Sequence, residues 1–248
     1  MMASYNLTSH TARFQASRDT CADRCCFRYT KALLFFLMNL AVLICNARSE
    51  ATETIVIRIN VTGASNTKCD AIPNVTCYWK QARPWFRKKS VVIGSAVNGS
   101  TAAEFNRHFV ERVLPYYDKR FKYNILALQT GGNDILANAS GETTFNNLKA
   151  IVSKWKALGP RNSAVIATVP RFGYSPSQLP EADKLNQLIL SERTFDATFD
   201  IGGIPNLNYG TGCPPVTFTP DCSHLTTAGN RLVSELFVTA INAVLRSL

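Results

Sequence analysis

Asp221 and His224 stand in the run Pro220-Asp221-Cys222-Ser223-His224-Leu225-Thr226, just before a long apolar helical pattern. One rigid turn there presents a carboxylate and an imidazole together. A carboxylate beside a histidine holds the ring in one tautomer and orientation, and a histidine so held accepts a proton from a nucleophile. The pair therefore calls for a nucleophile elsewhere in the chain. The two other histidines suit the task less well, because His10 lies in an N-terminal tail and His108 within a helical pattern. A structural role for the same turn is helix capping by Asp221 or Thr226, and capping and catalysis are compatible.

The elements that must position this turn alternate along the chain. Apolar runs rich in β-branched residues predict strands over Thr54–Val61, Ser90–Ile93, Tyr123–Gln129, Ser163–Val169 and Phe195–Ile201. Helical spacing appears over Thr101–Val113, Thr144–Leu158, Pro180–Ser191 and Thr226–Leu245. Such alternation predicts an α/β fold, a three-layer α/β/α sandwich with a parallel, flavodoxin-like central sheet of about five strands. Ligands of such sheets bind at the carboxyl ends of the strands, so the loops after each strand are where chemistry belongs. Those loops are polar and marked by glycine: Gly63-Ala64-Ser65-Asn66-Thr67, Asn98-Gly99-Ser100-Thr101 and Gly131-Gly132-Asn133-Asp134, together with the Asp221/His224 turn.

In these four segments the chain resembles the SGNH hydrolases, also called the GDSL esterase/lipase family. Gly63-Ala64-Ser65 matches the Gly-Asp-Ser nucleophile block, Gly99 the glycine block, Gly131 to Asp134 the Gly-x-Asn-Asp block, and Asp221 to His224 the Asp-x-x-His block. The blocks occur in the family's order, from about Thr54 to the C-terminus. The resemblance implies Ser65 as the nucleophile, His224 as its base and Asp221 as the group that orients the base. It also implies an oxyanion hole made by the backbone N–H groups of Ser65 and Gly99 and the side-chain amide of Asn133. These roles are physically apt: a serine at a sharp turn after a strand attacks once an imidazole takes its proton, and a neutral amide donates to a developing oxyanion without titrating. Asp134 reads as a structural carboxylate bonded to loop backbone. No metal or organic cofactor is implied. With no CxxC or paired histidines, a zinc site has no support.

Two residues depart from that pattern. Ala64 replaces the family's aspartate, which organises the nucleophile loop, so a less ordered loop is expected. Arg58 lies inside the first strand and needs a carboxylate partner or a route to solvent.

The 248 residues, 46% of them hydrophobic, suffice for one sizeable domain. Residues 1–47 read as a basic tail plus a signal peptide or signal anchor, and 48–248 as the catalytic domain. The apolar run Ala32–Cys45 is shorter than the roughly 20 residues that span a bilayer comfortably, which favours a cleaved signal over a retained type II anchor. Only with the anchor retained would a membrane be a partner. The domain keeps Cys69, Cys77, Cys213 and Cys222, for which local pairing is the simplest of three connectivities. Sequons at Asn6, Asn60, Asn74, Asn98 and Asn138 fit a secretory route. The net charge of +10 favours anionic polymers or surfaces, but no basic run interleaved with aromatics suggests nucleic-acid reading.

The segment holding Trp79, Trp85 and Phe86 with Arg83, Arg87, Lys88 and Lys89 suits either a wall of the substrate cleft or a packed surface connection. Pro170-Arg171-Phe172-Gly173-Tyr174 follows the fourth strand and should shape specificity. A secreted or lumenal serine esterase acting on short acyl groups, such as acetyl on carbohydrate, is the function expected. A lipid acyl hydrolase is the near alternative, since the Asp-Cys-x-His form also resembles some phospholipase B-like members. An inactive carbohydrate-binding protein on the same fold is the distant one.

Overall fold

Along β1 (Ile57–Gly63) the residues Ile57, Ile59 and Val61 alternate with Arg58, Asn60 and Thr62, so the strand has one apolar and one polar face. It lies at the interior of a five-stranded parallel sheet of order β2-β1-β3-β4-β5. The other strands are β2 (Ser90–Ala96), β3 (Tyr123–Gln129), β4 (Asn162–Ala167) and β5 (Ala197–Phe199). The computed structural model describes residues 56–70, 74–86, 90–171, 173–207, 216–219 and 223–248. The N-terminal tail, Asp221 and the Cys213 and Cys222 pairing expected from sequence fall outside the described residues.

Helices cover both faces of the sheet. On one side α2 (Tyr78–Ala82) and α8 (Thr227–Ser247) pack Tyr78, Val233, Phe237 and Ile241 against Ile59, Val61, Ile125 and Val165. On the other, α3 (Ala102–Arg107), α4 (Phe109–Arg112), α5 (Gly132–Leu136), α6 (Gly141–Ala157) and α7 (Leu179–Ser191) bury Phe105, Leu148, Trp155 and Leu185 with Leu126, Leu128 and Ile166. Successive residues of β3 feed opposite layers, the signature of a strand buried on both faces. The short α1 (Ser65–Lys68) follows β1 directly. The expected three-layer sandwich is therefore present, and the strand order is the flavodoxin-like one.

Most predicted elements shift by a few residues at their ends, the fifth strand shortening to Ala197–Phe199, and two change more instructively. The second strand runs on past Ile93 to Ala96, because Gly94 and Ser95 pair with Val61 and Thr62 of β1. The single helix expected over Thr101–Val113 is broken at His108, whose φ of −102° and ψ of 35° are not helical. Phe105, Phe109 and Val113 on either side of the break all enter the same core.

The polar face of β1 finds partners on neighbouring elements. Arg58 donates from Nε to the Tyr116 carbonyl oxygen at 2.6 Å, places Nη1 3.8 Å from Asp118 and lies over the Phe121 ring. This is the carboxylate partner its strand position required. Deeper in the sheet, Ser95 donates to Asn60 at 3.0 Å and shares a hydrogen bond with Thr62 at 2.8 Å.

Burial sorts the described sequons. Asn60 is 0% exposed in mid-strand, whereas Asn74, Asn98 and Asn138 are exposed. Glycopeptide mapping of protein made in a glycosylating host is expected to find occupancy at Asn74 and Asn138, none at Asn60, and little at Asn98, where a glycan would stand beside the Gly99 block of the expected catalytic edge. A glycan on Asn60 of folded protein would contradict the placement of β1.

Candidate active site

The parallel sheet reverses its direction of winding between β1 and β3, and the loops leaving those two strands diverge to open a crevice. The turn Gly63-Ala64-Ser65 enters it from β1. Gly63 permits a close approach: a Cβ there would collide with the Thr67 hydroxyl and the Gln129 carbonyl oxygen. Ser65 becomes the first residue of α1, where backbone N–H groups have no helical acceptor behind them.

The disorder expected from Ala64 is not found, because other groups organise the turn. Thr67 donates its hydroxyl hydrogen to Gln129 Oε1 at 2.7 Å, and Trp79 Nε1 donates to the Thr67 carbonyl oxygen at 2.9 Å. The Ala64 amide reaches the Gln129 carbonyl oxygen at 3.4 Å, and Cys69, just beyond α1, is joined by a disulfide to Cys77. Part-buried hydrogen bonds to these neighbours thus hold the turn without a carboxylate at position 64.

His224 approaches from the far end of the chain, in a loop tied on two sides. On one, Thr219 donates its backbone N–H to the His224 carbonyl oxygen at 2.9 Å and its hydroxyl to the same atom at 3.1 Å, while Phe218 and Leu225 form an antiparallel bridge. On the other, the Asn66 side chain donates from Nδ2 to the Ser223 carbonyl oxygen and accepts from the Leu225 N–H, both at 3.0 Å. The residue after Ser65 is thus bonded to the residues before and after His224. Asn230 adds a buried tie, accepting from the Tyr78 N–H at 3.0 Å and donating to the Leu225 and Thr226 carbonyl oxygens.

A cavity of about 70 Å³ lies where these turns meet, with Ser65, Asn66, Asn133, Thr168, Tyr174 and Ser223 among its walls. Asn133 uses one amide hydrogen on the Ser100 carbonyl oxygen at 3.0 Å, which joins the third loop to the second. A primary amide has two hydrogens, so the other remains for a ligand. Gly99 is exposed, with φ of +72° in the left-handed region that glycine favours, and no atom lies within 4 Å of where its Cβ would be. It does not line this cavity. The structure therefore gathers Ser65, Asn133 and the turn carrying His224, and leaves Gly99 at the rim.

Asp134 has the structural place expected of it. Its carboxylate accepts from the Ala102 N–H at 2.7 Å and the Ala103 N–H at 3.2 Å, capping α3 beside the Thr101–Glu104 capping box. Burial pushes its pKa upward, against the lowering effect of these two bonds. Burial, and then the Asp134 charge, also pushes the Tyr174 phenol up, so that this cavity wall is neutral.

Pro170, Gly173 and Tyr174 line the cavity, as the loop after β4 suggested. The tryptophan segment instead forms the packed connection. Trp79 lies across Gly94, Phe86 is buried in the core, and Trp85 is 72% exposed on a separate groove with Gln81 and Arg231. Sequence reasoning missed Asn66, Gln129 and Asn230, whose bonds reach partners distant in the chain. Among the described residues, no group of three His, Cys, Asp or Glu side chains could hold a metal ion.

Comparison with known proteins agrees with this geometry at the level of the fold. No family model and no curated protein matches the chain. Solved structures do. A catalytic mutant of Axe2, an acetylxylan esterase from Geobacillus stearothermophilus, superimposes with a TM-score of 0.58 over 74% of this chain and 93% of that one, at 15% identity. The psychrotrophic esterase EstA from Pseudoalteromonas sp., in a structure inhibited by monoethylphosphonate, gives 0.55 over 76% and 98%, at 16% identity. A member of the lipolytic G-D-S-L family from Veillonella parvula gives 0.55 over 75% and 98%, at 13% identity. The chain has the fold of the SGNH, or GDSL, hydrolases.

Proposed function

We infer that the protein is a serine esterase that hydrolyses O-acyl esters through an acyl-enzyme. The observation that carries this reading is the cavity at the sheet's switch point, walled by Ser65, Asn133 and Ser223, the last adjacent to His224. His224 takes the Ser65 hydroxyl proton as Oγ bonds to the ester carbonyl carbon, and the carbonyl π pair moves onto oxygen. The backbone N–H of Ser65 and the second amide hydrogen of Asn133, both in the cavity wall, receive that oxyanion, without the Gly99 N–H that the family resemblance implied. The C–O bond to the alcohol then breaks as His224 protonates the departing oxygen. Water next gives a proton to His224 and its oxygen to the acyl carbon, and the acid leaves as Ser65 regains its proton. Asp221 orients His224 throughout and stabilises the imidazolium.

The substrate class is a short acyl group, such as acetyl, on a carbohydrate. A cavity of about 70 Å³ supports a small acyl group, being small beside the sites that hold larger organic ligands. The fold shared with an acetylxylan esterase points the same way. The Cys69–Cys77 disulfide supports action in a secretory lumen or outside the cell. Among the described residues, no helix is long and apolar enough to cross a membrane.

Turnover of p-nitrophenyl acetate should exceed that of the palmitate ester by at least about tenfold in kcat/KM. A preference for palmitate would replace this substrate class with a lipid one.

A further inference from the structure

The Asn66 side chain bonds backbone on both sides of His224, and it follows Ser65 directly in the same helical turn. Its two bonds span 157 and 159 residues of sequence. An amide is suited to this because it donates from nitrogen and accepts at oxygen, matching a carbonyl oxygen at residue 223 and an N–H at residue 225. We propose that Asn66 is a positioning residue for the esterase reaction, a two-point clamp that sets the distance and angle between the Ser65 hydroxyl and the His224 imidazole. The proposal rests on the esterase reading above and adds a residue whose role is separate from fold stability.

The physical argument is one of leverage. Ser65 and Asn66 share the four-residue α1, so their relative placement is fixed by one turn of backbone. The bonds of Asn66 then hold the His224 backbone from both neighbours, opposing rotation of that loop about either single contact. Thr219 fixes the His224 carbonyl oxygen from the other side, but it belongs to the same loop and moves with it. Asn66 connects the loop to the nucleophile's own helix. Because a displacement of about 1 Å between reacting groups costs about 10²-fold in rate, the clamp is worth more to turnover than one exposed and one part-buried hydrogen bond are to stability.

The test compares Asn66→Ala and Asn66→Asp with the wild-type full chain. Aspartate keeps the shape and the acceptor for Leu225 but has no hydrogen for the Ser223 carbonyl oxygen. Active sites are counted with a fluorophosphonate probe, and p-nitrophenyl acetate turnover is expressed per labelled site. Both variants are expected to lose about 10²-fold in kcat with KM unchanged, while retaining the wild-type thermal midpoint. A merely structural Asn66 would lower the labelled fraction and the midpoint but leave turnover per labelled site alone, and that result overturns the proposal.

Should the folded wild type fail to label, the esterase reading falls, and the clamp is judged by imidazole NMR. Three histidines keep that spectrum simple. A sharp His224 signal in the wild type that broadens or splits in both variants supports the clamp. An unchanged signal refutes it.

Discussion

Replacing Ser65 with alanine is expected to abolish fluorophosphonate labelling and to lower kcat for p-nitrophenyl acetate by about 10⁶-fold, the scale seen when the nucleophile of a serine hydrolase is removed. The fold should survive, because Ser65 is half-buried at the crevice and its oxygen is not a core contact. His224→Ala should weaken labelling strongly without eliminating the target atom. Mass spectrometry of the labelled peptide locates the phosphonate. A wild-type protein that is folded and disulfide-bonded, yet unlabelled, would favour the inactive carbohydrate-binding alternative over the esterase.

Gly63→Ala is expected to lower activity by an indirect route, with a smaller loss than removal of the nucleophile. The new methyl would occupy the space of the Thr67 hydroxyl and the Gln129 carbonyl oxygen, one a flexible side chain and the other main chain. Main chain in the middle of a parallel sheet does not yield, so the turn bearing Ser65 must shift instead. Such a displacement should cost about 10²-fold or more in kcat, with roughly 1–3 kcal/mol of stability lost to overpacking. Turnover per labelled site and a thermal melt separate the two effects. Unaltered turnover in Gly63→Ala would show that the Thr67–Gln129 bond does not hold the nucleophile in place.

The parts of this molecule legible in sequence are those with short-range signals. Strand β3 runs over the residues its pattern predicts, Tyr123–Gln129, because a strand covered on both faces is apolar through its centre, here Ile125 to Leu128. The final helix is likewise recovered, since Val233, Phe237, Ile241 and Val244 repeat on one face. The break at His108 carries no glycine or proline, and local pattern therefore cannot find it. Gly94 and Ser95 do not read as strand residues. Gly94 makes room for Trp79 and Ser95 bonds to Asn60 and Thr62, facts that depend on neighbours far along the chain.

The candidate site divides the same way. Ser65, Asn133, Asp221 and His224 are named by motif blocks, each a few residues long. How Ser65 and His224 are held is written in Asn66, Thr67 and Gln129, ordinary polar residues until the sheet brings their partners to them. The same holds for Ala64. From sequence it is a missing carboxylate, whereas in three dimensions the turn is already ordered by the Thr67 hydroxyl, the Trp79 indole and the disulfide.

Asn60 carries a consequence for biogenesis. Its strand is paired with β2 on one side and β3 on the other and its side chain is buried, yet Asn60-Val61-Thr62 is a complete acceptor for an oligosaccharide. In a glycosylating compartment that acceptor is presented only while the chain is unfolded, and the finished sheet hides it. Sugar transfer and native packing are therefore competing, mutually exclusive fates for each nascent molecule, since the interior that buries the Asn60 side chain has no room for a glycan. The yield of native protein then depends on how quickly β1 is captured, which makes the central strand a checkpoint on the speed of folding as well as the support of the catalytic turn.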